Sequence, residues 1–574
     1  MNRGCVVLVA LAACKSHESP RPRIAIADGG DWIRPMANGR YLETAAGEPF
    51  VPIGNQPGTG FLDLPDAAID AHFARMEAAG ENVARIDLDY GYAPKSGPTR
   101  YLGLESRLGV FDPARIARID VAFAAARTHH VRLLVVPFVT SPPMWETWAG
   151  NPYGTALGGP AHDPHDFMVS ADARAAFGRR MDWITARWGA SSTLFGWDLM
   201  NEANILEAEG HHDPRGLASW IDDLGGRVER TERAAFGRTH LRMVSASSMI
   251  PDREYAFLFR APTLDVAATH PYDFYGTTPD TFPAIVTSVV EPALTAHTKI
   301  RTILTDLVTD RRPYLENERH QNTITMLSFY READHDMAMA ELVSGAAGTG
   351  ITWLVLPEGP LLPRTLLEDR HRALAPGRHA LSELIRTRIP KAFFTADTKD
   401  EVADGFTSAD PHVAVMSLRR GDHAIGWILG RDERCLLAEG AREGRSGPLT
   451  QAGLAVILWR KLLRGEGIAV DDTVFAPLVE AFKAKDPAAG TTALAQAFAY
   501  LDTIDAGTLA RFAACPTLSP QVAFDMPPGR YRIDWIDDDT ARILRTDVAS
   551  LGATLRAPPF TRHLAIVVAP APEP

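Results

Sequence analysis

Between residues 48 and 375 the chain alternates short apolar runs with longer stretches in which apolar residues recur at helical spacing. This alternation is typical of βα units, in which parallel strands form a sheet and helices cover it. Several of the runs are apolar on both faces, as expected for strands buried on both sides. Eight strands are predicted, over residues 50–54, 83–88, 131–138, 193–200, 241–245, 264–270, 312–318 and 350–356. Eight such units predict a (β/α)8 barrel over residues 23–378.

Two predicted helices have recognisable ends. Asp112 followed by Pro113 offers a side-chain cap and a proline at the first helical position. The stretch 67–79 stops at Gly80, a residue that commonly terminates helices.

The sequence changes character after residue 380. Residues 413–429 read as two strands joined by a Gly-Asp turn, and residues 530–537 and 561–568 read as further strands. These strands predict a small β-sandwich domain over residues 379–574.

An Ala/Leu-rich stretch of about residues 436–522 interrupts this second domain with helical spacing. It predicts a helical insertion into the sandwich. Cys435 and Cys515 flank the insertion, and the sequence leaves open whether they form a disulfide.

The amino terminus has the outline of a bacterial export signal. Arg3 precedes a short apolar run over residues 6–13, and the run ends at Cys14. Residues 11–14 (Leu-Ala-Ala-Cys) resemble a lipobox, in which the cysteine is acylated, so residues 1–22 are predicted to be a lipoprotein signal peptide and tether. A periplasmic or lipid-anchored envelope protein is expected. The alternative interpretation is a buried first strand.

Composition excludes several classes of function. The chain has 59 Lys+Arg against 71 Asp+Glu, a net charge of −12, and its basic residues are scattered rather than clustered, which argues against a nucleic-acid partner. Four cysteines are too few for a disulfide scaffold or a Cys-rich zinc module. Beyond residue 20 no apolar run reaches the roughly 20 residues that span a bilayer, so membrane contact is expected only through the predicted anchor.

Two acidic residues follow apolar runs and are expected at the mouth of the barrel, where the carboxyl ends of its strands meet. Glu202 follows Asn201 at the end of the fourth run, and Glu318 ends the seventh. Two carboxyl groups at one centre can supply the acid, base and nucleophile that acetal hydrolysis requires.

The segment Trp197-Asp-Leu-Met-Asn201-Glu202 resembles the fourth-strand signature of the clan A retaining glycoside hydrolases, of which the cellulase-like and mannanase-like family 5 enzymes are the nearest comparison. The resemblance covers residues 30–375. It implies that Glu202 is the general acid/base and that Asn201 binds the sugar 2-hydroxyl. It also implies a carbohydrate substrate and double displacement without metal or organic cofactor.

Other positions extend this resemblance. It implies that Glu318 is the nucleophile, that Arg85 on the second strand supports it, and that His270 and Tyr272 lie beside it. Trp353 on the eighth strand resembles an aromatic sugar platform.

The sequence leaves alternatives open for the nucleophile and for the function of the protein. Glu316 lies two residues before Glu318 and is expected on the same side of the strand, so either could be the nucleophile. The family usually follows its nucleophile with an aromatic residue and a glycine, whereas Arg319 and His320 stand here, which leaves open a catalytically inactive carbohydrate-binding barrel of the cell envelope. An envelope protein that meets a partner through the helical insertion is a third possibility.

Two acidic histidine motifs, at residues 162–166 and 334–336, invite a metal interpretation. Neither has the spacing of a zinc hydrolase or a calcium loop. We therefore predict solvated loops and no metal at these positions.

Overall fold

The structure is a computed structural model. It describes residues 31–58, 60–92, 100–139, 148–205, 213–247, 253–271, 288, 290–308, 312–320, 327–354, 366–447, 449–484, 486–504, 507–512, 514–550 and 552–572. The predicted signal segment, with Cys14, lies outside the described residues. Within them, no helix combines the length and the apolar character needed to cross a membrane.

A closed barrel of eight parallel strands forms the first part of the chain. Strands five and seven are each interrupted, and the two halves of each strand pair with neighbours in different sheets. The two hydrogen-bonded sheets therefore form one closed barrel. The barrel strands are β4 (Gly54–Gln56), β5 (Val83–Asp87), β10 (Arg132–Val136), β11 (Leu194–Asp198), β12 (Leu241–Met243), β13 (Ser245–Ser247), β14 (Ala267–His270), β15 (Tyr314–Glu316), β16 (Arg319–His320) and β17 (Ile351–Trp353).

The predicted strand order is therefore present in the structure. The first strand begins at Gly54 rather than at residue 50, because β3 (Pro49–Phe50) pairs antiparallel with β2 (Leu42–Thr44) instead. Two hairpins follow the second barrel strand, formed by β6 (Tyr90–Tyr92) with β7 (Arg100–Leu102) and by β8 (Glu105–Arg107) with β9 (Val110–Phe111).

Helices cover the outside of the barrel. As predicted, Asp112 caps one of them by accepting from the amides of Ala114 and Arg115. Between strands five and six, the described residues contain a 3₁₀ helix (Arg253–Phe259) in place of an α-helix. The barrel helices are α1 (Asp66–Ala78), α2 (Pro113–Thr128), α3 (Pro164–Val169), α4 (Ala171–Trp188), α5 (Pro214–Phe236), α6 (Val290–Thr302), α7 (Leu327–Ser344) and α8 (Leu366–Thr387).

The lower half of the barrel is filled by an apolar cluster. Val83, Leu134 and Leu241 from three barrel strands pack there together with Ile33 and Leu42. The last two residues belong to β1 (Ile33–Pro35) and β2, so the small N-terminal sheet closes the amino end of the barrel. Polar side chains are consequently left to the opposite, carboxyl end.

Two antiparallel sheets of six and three strands follow α8 and a short helix, α9 (Lys391–Thr395). Side chains of both sheets, among them Phe406, Phe524 and Trp535, share one buried cluster, in partial agreement with the predicted β-sandwich. The predicted boundary between residues 378 and 379 falls within α8. The strands are β18 (Glu401–Ala403), β19 (Phe406–Thr407), β20 (Val413–Arg420), β21 (His423–Gly430), β22 (Gln521–Phe524), β23 (Arg530–Asp537), β24 (Arg542–Ser550), β25 (Thr554–Arg556) and β26 (His563–Pro570).

Helices occupy the chain between β21 and β22, where the insertion was expected. Cys435 in the first of them is joined by a disulfide to Cys515, with their Cα atoms 5.0 Å apart. The bond therefore ties the two ends of the insertion together. The helices are α10 (Arg434–Arg445), α11 (Leu449–Gly465), α12 (Ala476–Lys483), α13 (Pro487–Ile504) and α14 (Thr508–Arg511).

The motif at residues 334–336 is not a solvated loop, so that prediction was wrong. It lies in α7, and His335 and Asp336 are buried against the six-stranded sheet. The His335 ring stacks on that of His563, with the centroids 4.2 Å apart. A polar interface buries these side chains because the facing sheet supplies charged partners, as in the 2.8 Å contact of Arg562 Nη2 with Asp336 Oδ2.

His563 is held between two acids in this interface. Its Nδ1 lies 2.9 Å from Asp538 Oδ1, and its Nε2 lies 3.5 Å from Glu332 Oε2. Burial disfavours the charged ring, but the two carboxylates outweigh burial and raise the pKa of His563 well above its ordinary value. The interface is therefore most favourable when His563 is protonated.

We expect the free energy of unfolding to fall as the pH rises above about 6.5. A histidine with a raised folded-state pKa stabilises the fold fully below its unfolded pKa and loses that contribution as the pH passes the folded value. A rise of one unit in the pKa of His563 corresponds to about 1.4 kcal/mol, so the free energy of unfolding should decrease by more than about 1 kcal/mol. Denaturant unfolding at pH 6 and pH 9 measures it. His563→Gln should flatten this dependence, whereas His379→Gln, at an exposed position of α8, should not; equal slopes in all three proteins would contradict the assignment.

Candidate active site

The sequence-predicted site residues meet at the carboxyl end of the barrel. Arg85 lies on β5, Glu202 four residues after β11, His270 at the end of β14, and Glu318 between β15 and β16. Trp353 ends β17 and is partly exposed. Tyr272 lies outside the described residues.

Glu202 and Glu318 face each other. A carboxylate oxygen of each and a ring nitrogen of His270 lie within 4.8 Å of one another. His270 Nδ1 is 2.9 Å from Glu202 Oε1 and 3.9 Å from Glu318 Oε1. The structure thus brings together two acids that are 116 residues apart in the sequence.

Arg85 connects Glu318 to the wall of the barrel. Its guanidinium group is fully buried and donates to Glu318 Oε2, to Gln56 Oε1 at 2.7 Å and to Asn201 Oδ1 at 2.5 Å. Burial opposes its charge, but Glu318 and Asp198 outweigh burial and raise the pKa of Arg85. A permanent cation therefore holds Glu318 in place.

Asp198 is the second acid on Arg85. Its Oδ2 accepts from Arg85 Nη2 at 3.0 Å, from Asn317 Nδ2 at 2.9 Å and from the Ser245 hydroxyl at 2.9 Å. Since Asn317 precedes Glu318, these contacts also position the chain that carries Glu318. Asp198 is fully buried and acts on the site through its neighbours.

The backbone at Glu202 is strained. Its φ of 48° places a non-glycine residue in the left-handed region. Hydrogen bonds on both sides maintain this conformation, from the Asn201 amide to the Phe138 carbonyl at 3.0 Å and from the Ala203 amide to the Ser245 carbonyl at 3.1 Å. Such strain persists where surrounding contacts over-determine it, and it is concentrated at functional sites.

Glu316 does not share the face of Glu318, contrary to the sequence-based expectation. Leu315 belongs to the interior cluster, so Glu316 points outward to the helices, where it pairs with Glu341 of α7. Burial raises the pKa of both carboxyl groups. The alternation fails because strand seven breaks after Glu316, which lets Asn317 and Glu318 both face the interior.

Arg319, which stands where the glycoside hydrolases that the motifs resemble usually have an aromatic residue, also points outward. Its guanidinium donates to Glu341 Oε1 at 2.8 Å and to the Thr352 hydroxyl at 3.2 Å. This departure from the family pattern therefore lies behind the strand and leaves the contact between Arg85 and Glu318 intact.

The sequence assigns no role to five polar residues of the site: Gln56, Asp87, Asp198, Ser245 and Asn317. One signal was available, because an arginine predicted inside a barrel needs acceptors for its donors. Asp87 follows Arg85 by two residues and therefore faces the same interior. Gln56 donates to Asp87 Oδ2 at 3.1 Å.

Glu202, His270 and Glu318 are also spaced as three ligands of a cation. Arg85 already supplies positive charge to Glu318 at this point. The donor set of two carboxylates and one imidazole would suit a divalent transition metal, whereas the arginine contact suits an acid that works as an anion.

No family model matches the chain. It is similar to a probable mannan endo-1,4-beta-mannosidase A-1 of Aspergillus terreus, with 29% identity over 175 residues, 30% of this chain and 42% of the relative. It is 23% identical over 292 residues to mannan endo-1,4-beta-mannosidase A of Emericella nidulans, covering 47% of this chain and 72% of the relative. A solved structure named "Glycoside hydrolase" aligns with 96% of this chain and 99% of its own, at 11% identity and a TM-score of 0.49.

The chain thus spans less than half the length of the first of these relatives. The curated relatives support the resemblance to mannanase-like glycoside hydrolases that the motifs indicated.

Proposed function

We propose that this protein is a retaining glycoside hydrolase that cleaves β-glycosidic bonds of a mannan or manno-oligosaccharide. The observation that carries the proposal is the close approach of Glu202 and Glu318, in which one carboxylate oxygen of each lies within 4.8 Å of the other. Retaining enzymes hold their two carboxyl groups about 5–5.5 Å apart, whereas inverting enzymes need about 6.5–9.5 Å to admit a water molecule.

Glu318 is the nucleophile in this proposal. Its contact with Arg85 favours the carboxylate and aims it into the mouth of the barrel. The carboxylate attacks the anomeric carbon, and a covalent glycosyl ester forms as the bond to the leaving oxygen breaks.

Glu202 is the acid and then the base. In the first step its proton passes to the leaving oxygen, and His270 stabilises the carboxylate that remains through the 2.9 Å contact. In the second step this carboxylate takes a proton from water as the water attacks the anomeric carbon and releases Glu318.

Asn201 and Trp353 complete the proposed site. The bond from Arg85 to Asn201 Oδ1 fixes the amide, whose NH2 is assigned to the sugar 2-hydroxyl. Trp353 pairs in register with Gln56 on the neighbouring strand and is assigned as the platform for a sugar face.

The substrate class rests on the curated relatives, which are mannan endo-1,4-beta-mannosidases. We place the site of action outside the cytoplasm, a proposal supported by the disulfide between Cys435 and Cys515, since such bonds persist in oxidising compartments. Fractionation of expressing cells tests that location.

We expect the protein to release reducing ends from β-1,4-mannan faster than from β-1,4-glucan, β-1,3-glucan or xylan. Proton NMR of the first product should detect the β-anomer before mutarotation, because double displacement retains configuration. An α-anomer appearing first would contradict the assignment of Glu318. Binding of mannan without turnover would favour the inactive carbohydrate-binding barrel instead.

A further inference from the structure

A third carboxyl group lies in the mouth of the barrel, next to the proposed nucleophile. Asp87 stands two residues beyond Arg85 on β5, so both side chains project to the interior and Asp87 lies about 7 Å nearer the carboxyl end. Arg85 Nη1 approaches both Asp87 Oδ1, at 3.6 Å, and Glu318 Oε2. Asp87 is therefore a near neighbour of the acid that would form the glycosyl ester.

The two oxygens of Asp87 differ in their contacts. Oδ2 accepts from Gln56 Nε2 at 3.1 Å, whereas Oδ1 is buried without a hydrogen bond from any described residue. The side chain is 10% exposed and lines a pocket with Gln56, Gly58 and Phe61. A buried acceptor that lacks a protein donor costs free energy unless a ligand hydroxyl, or the water molecule that such a hydroxyl displaces, supplies one.

We propose, on the basis of the function proposed above, that Asp87 binds a hydroxyl group of the sugar ring at the cleavage position and thereby determines specificity. The ring it fits is a neutral hexose. Asp87, Glu202 and Glu318 place three carboxyl groups at the mouth, Asp198 lies buried beneath them, and Arg85 is the guanidinium that contacts Asp87, Asp198 and Glu318. A uronic acid would add a further negative charge to this group.

The protonation of Asp87 agrees with this role. Burial, opposed by Arg85 and aided by Glu318, raises the pKa of the Asp87 carboxyl to about 7. Near neutral pH the group can therefore accept a hydrogen bond from a hydroxyl or donate one to it.

The test compares the wild type with Asp87→Asn, Asp87→Ala and the control Asp223→Asn, a carboxyl group with a 73% exposed side chain on the outer helix α5. The substrates are 2,4-dinitrophenyl β-D-mannopyranoside and its 3-, 4- and 6-deoxy analogues. We expect Asp87→Ala to lower kcat/KM about 10- to 100-fold on the parent sugar. On the analogue that lacks the hydroxyl bound by Asp87, the loss should shrink to less than threefold.

An equal loss on the parent and on every analogue would overturn the inference, since it would mean that Asp87 only positions Arg85. No loss on any sugar, or faster hydrolysis of the corresponding β-glucuronide than of the mannoside, would also overturn it. Asp87→Asn preserves the shape of the side chain and can still bond a hydroxyl, so it should show the same order of sugars with a smaller loss, and it replaces Asp87→Ala if that variant does not fold.

Calorimetric titration of mannohexaose and methyl β-D-mannopyranoside into the same proteins separates this inference from the proposed function. Suppose that the wild type binds these sugars without hydrolysing them. Weaker binding by Asp87→Ala, with unchanged binding by Asp223→Asn, would then support the role of Asp87 and overturn the enzyme proposal. If the wild type neither hydrolyses nor binds these sugars, both the proposed function and the role of Asp87 are overturned.

Discussion

Glu318→Gln is expected to lower kcat/KM for a β-mannoside by about 10⁴-fold or more, because the amide cannot form the glycosyl ester. Glu202→Gln is expected to lower it by about 10²- to 10⁴-fold on substrates with a poor leaving group, which need protonation. With a dinitrophenolate leaving group, which departs without a proton, the first step in Glu202→Gln should be nearly normal. Steady-state and pre-steady-state release of dinitrophenol measures both steps.

Azide distinguishes the two roles. In Glu202→Ala, azide replaces the water that attacks the glycosyl ester, so the product should be the β-glycosyl azide. In Glu318→Ala, azide occupies the place of the missing carboxylate and attacks directly, so the product should be the α-glycosyl azide. The same azide anomer from both variants would contradict the assignment of the two acids.

Glu316→Gln is the matched control for these variants. Glu316 lies two residues from Glu318 but points to the helices, and burial already favours its neutral form. Glutamine has the size of that neutral acid, so the fold and the hydrolysis of mannan should be largely retained. A large decrease of kcat in a normally folded Glu316→Gln would indicate that Glu316, rather than Glu318, is the nucleophile.

The barrel could be predicted from the sequence because its strands are buried on both faces. Runs such as residues 133–138 are apolar throughout, and the helix cap at Asp112 depends on adjacent residues alone. Glu202 and Glu318 were placed at one mouth for the same reason, since all eight parallel strands point the same way.

The details that failed depend on neighbours distant in sequence. Alternation along a strand predicts a common face for Glu316 and Glu318, and only the break in strand seven separates them. The polar motif around His335 looks solvated because its partners, Arg562 and His563, lie more than two hundred residues later. Asp198 lies within the motif of residues 197–202, but the sequence assigns it no role, because its contacts with Arg85 and Asn317 join three strands.

Arg85 is the residue on which these separate strands converge. It contacts Gln56 on strand one, Asp198 and Asn201 on or after strand four, and Glu318 on strand seven. Since the side chain is fully buried, its N–H donors depend on these protein acceptors rather than on bulk water. The loss of Arg85 would therefore affect the fold and the proposed chemistry together.

We expect Arg85→Met to lower the free energy of unfolding by about 3–5 kcal/mol, because buried carboxylates are left without a cation. We also expect kcat to fall by about 10²- to 10³-fold, with a smaller change in KM, since Glu318 loses the group that keeps it ionised and aimed. Arg85→Lys keeps the charge but not the fork that reaches several acceptors, so it should recover part of both losses. Denaturant unfolding and steady-state kinetics on mannan measure the two effects.

Arg378→Met separates the two effects. Arg378 is also buried and is also held by acids, with Nη2 2.8 Å from Asp334 Oδ1 and a contact to Glu81, but these partners lie behind the strands rather than in the mouth. Its loss should destabilise the fold by a similar amount and leave kcat of the folded protein near the wild-type value. Suppose that Arg378→Met and Arg85→Met lower kcat equally at a temperature where both proteins are folded. The role of Arg85 would then be structural. Its contact with Glu318 would no longer support the assignment of Glu318 as the nucleophile.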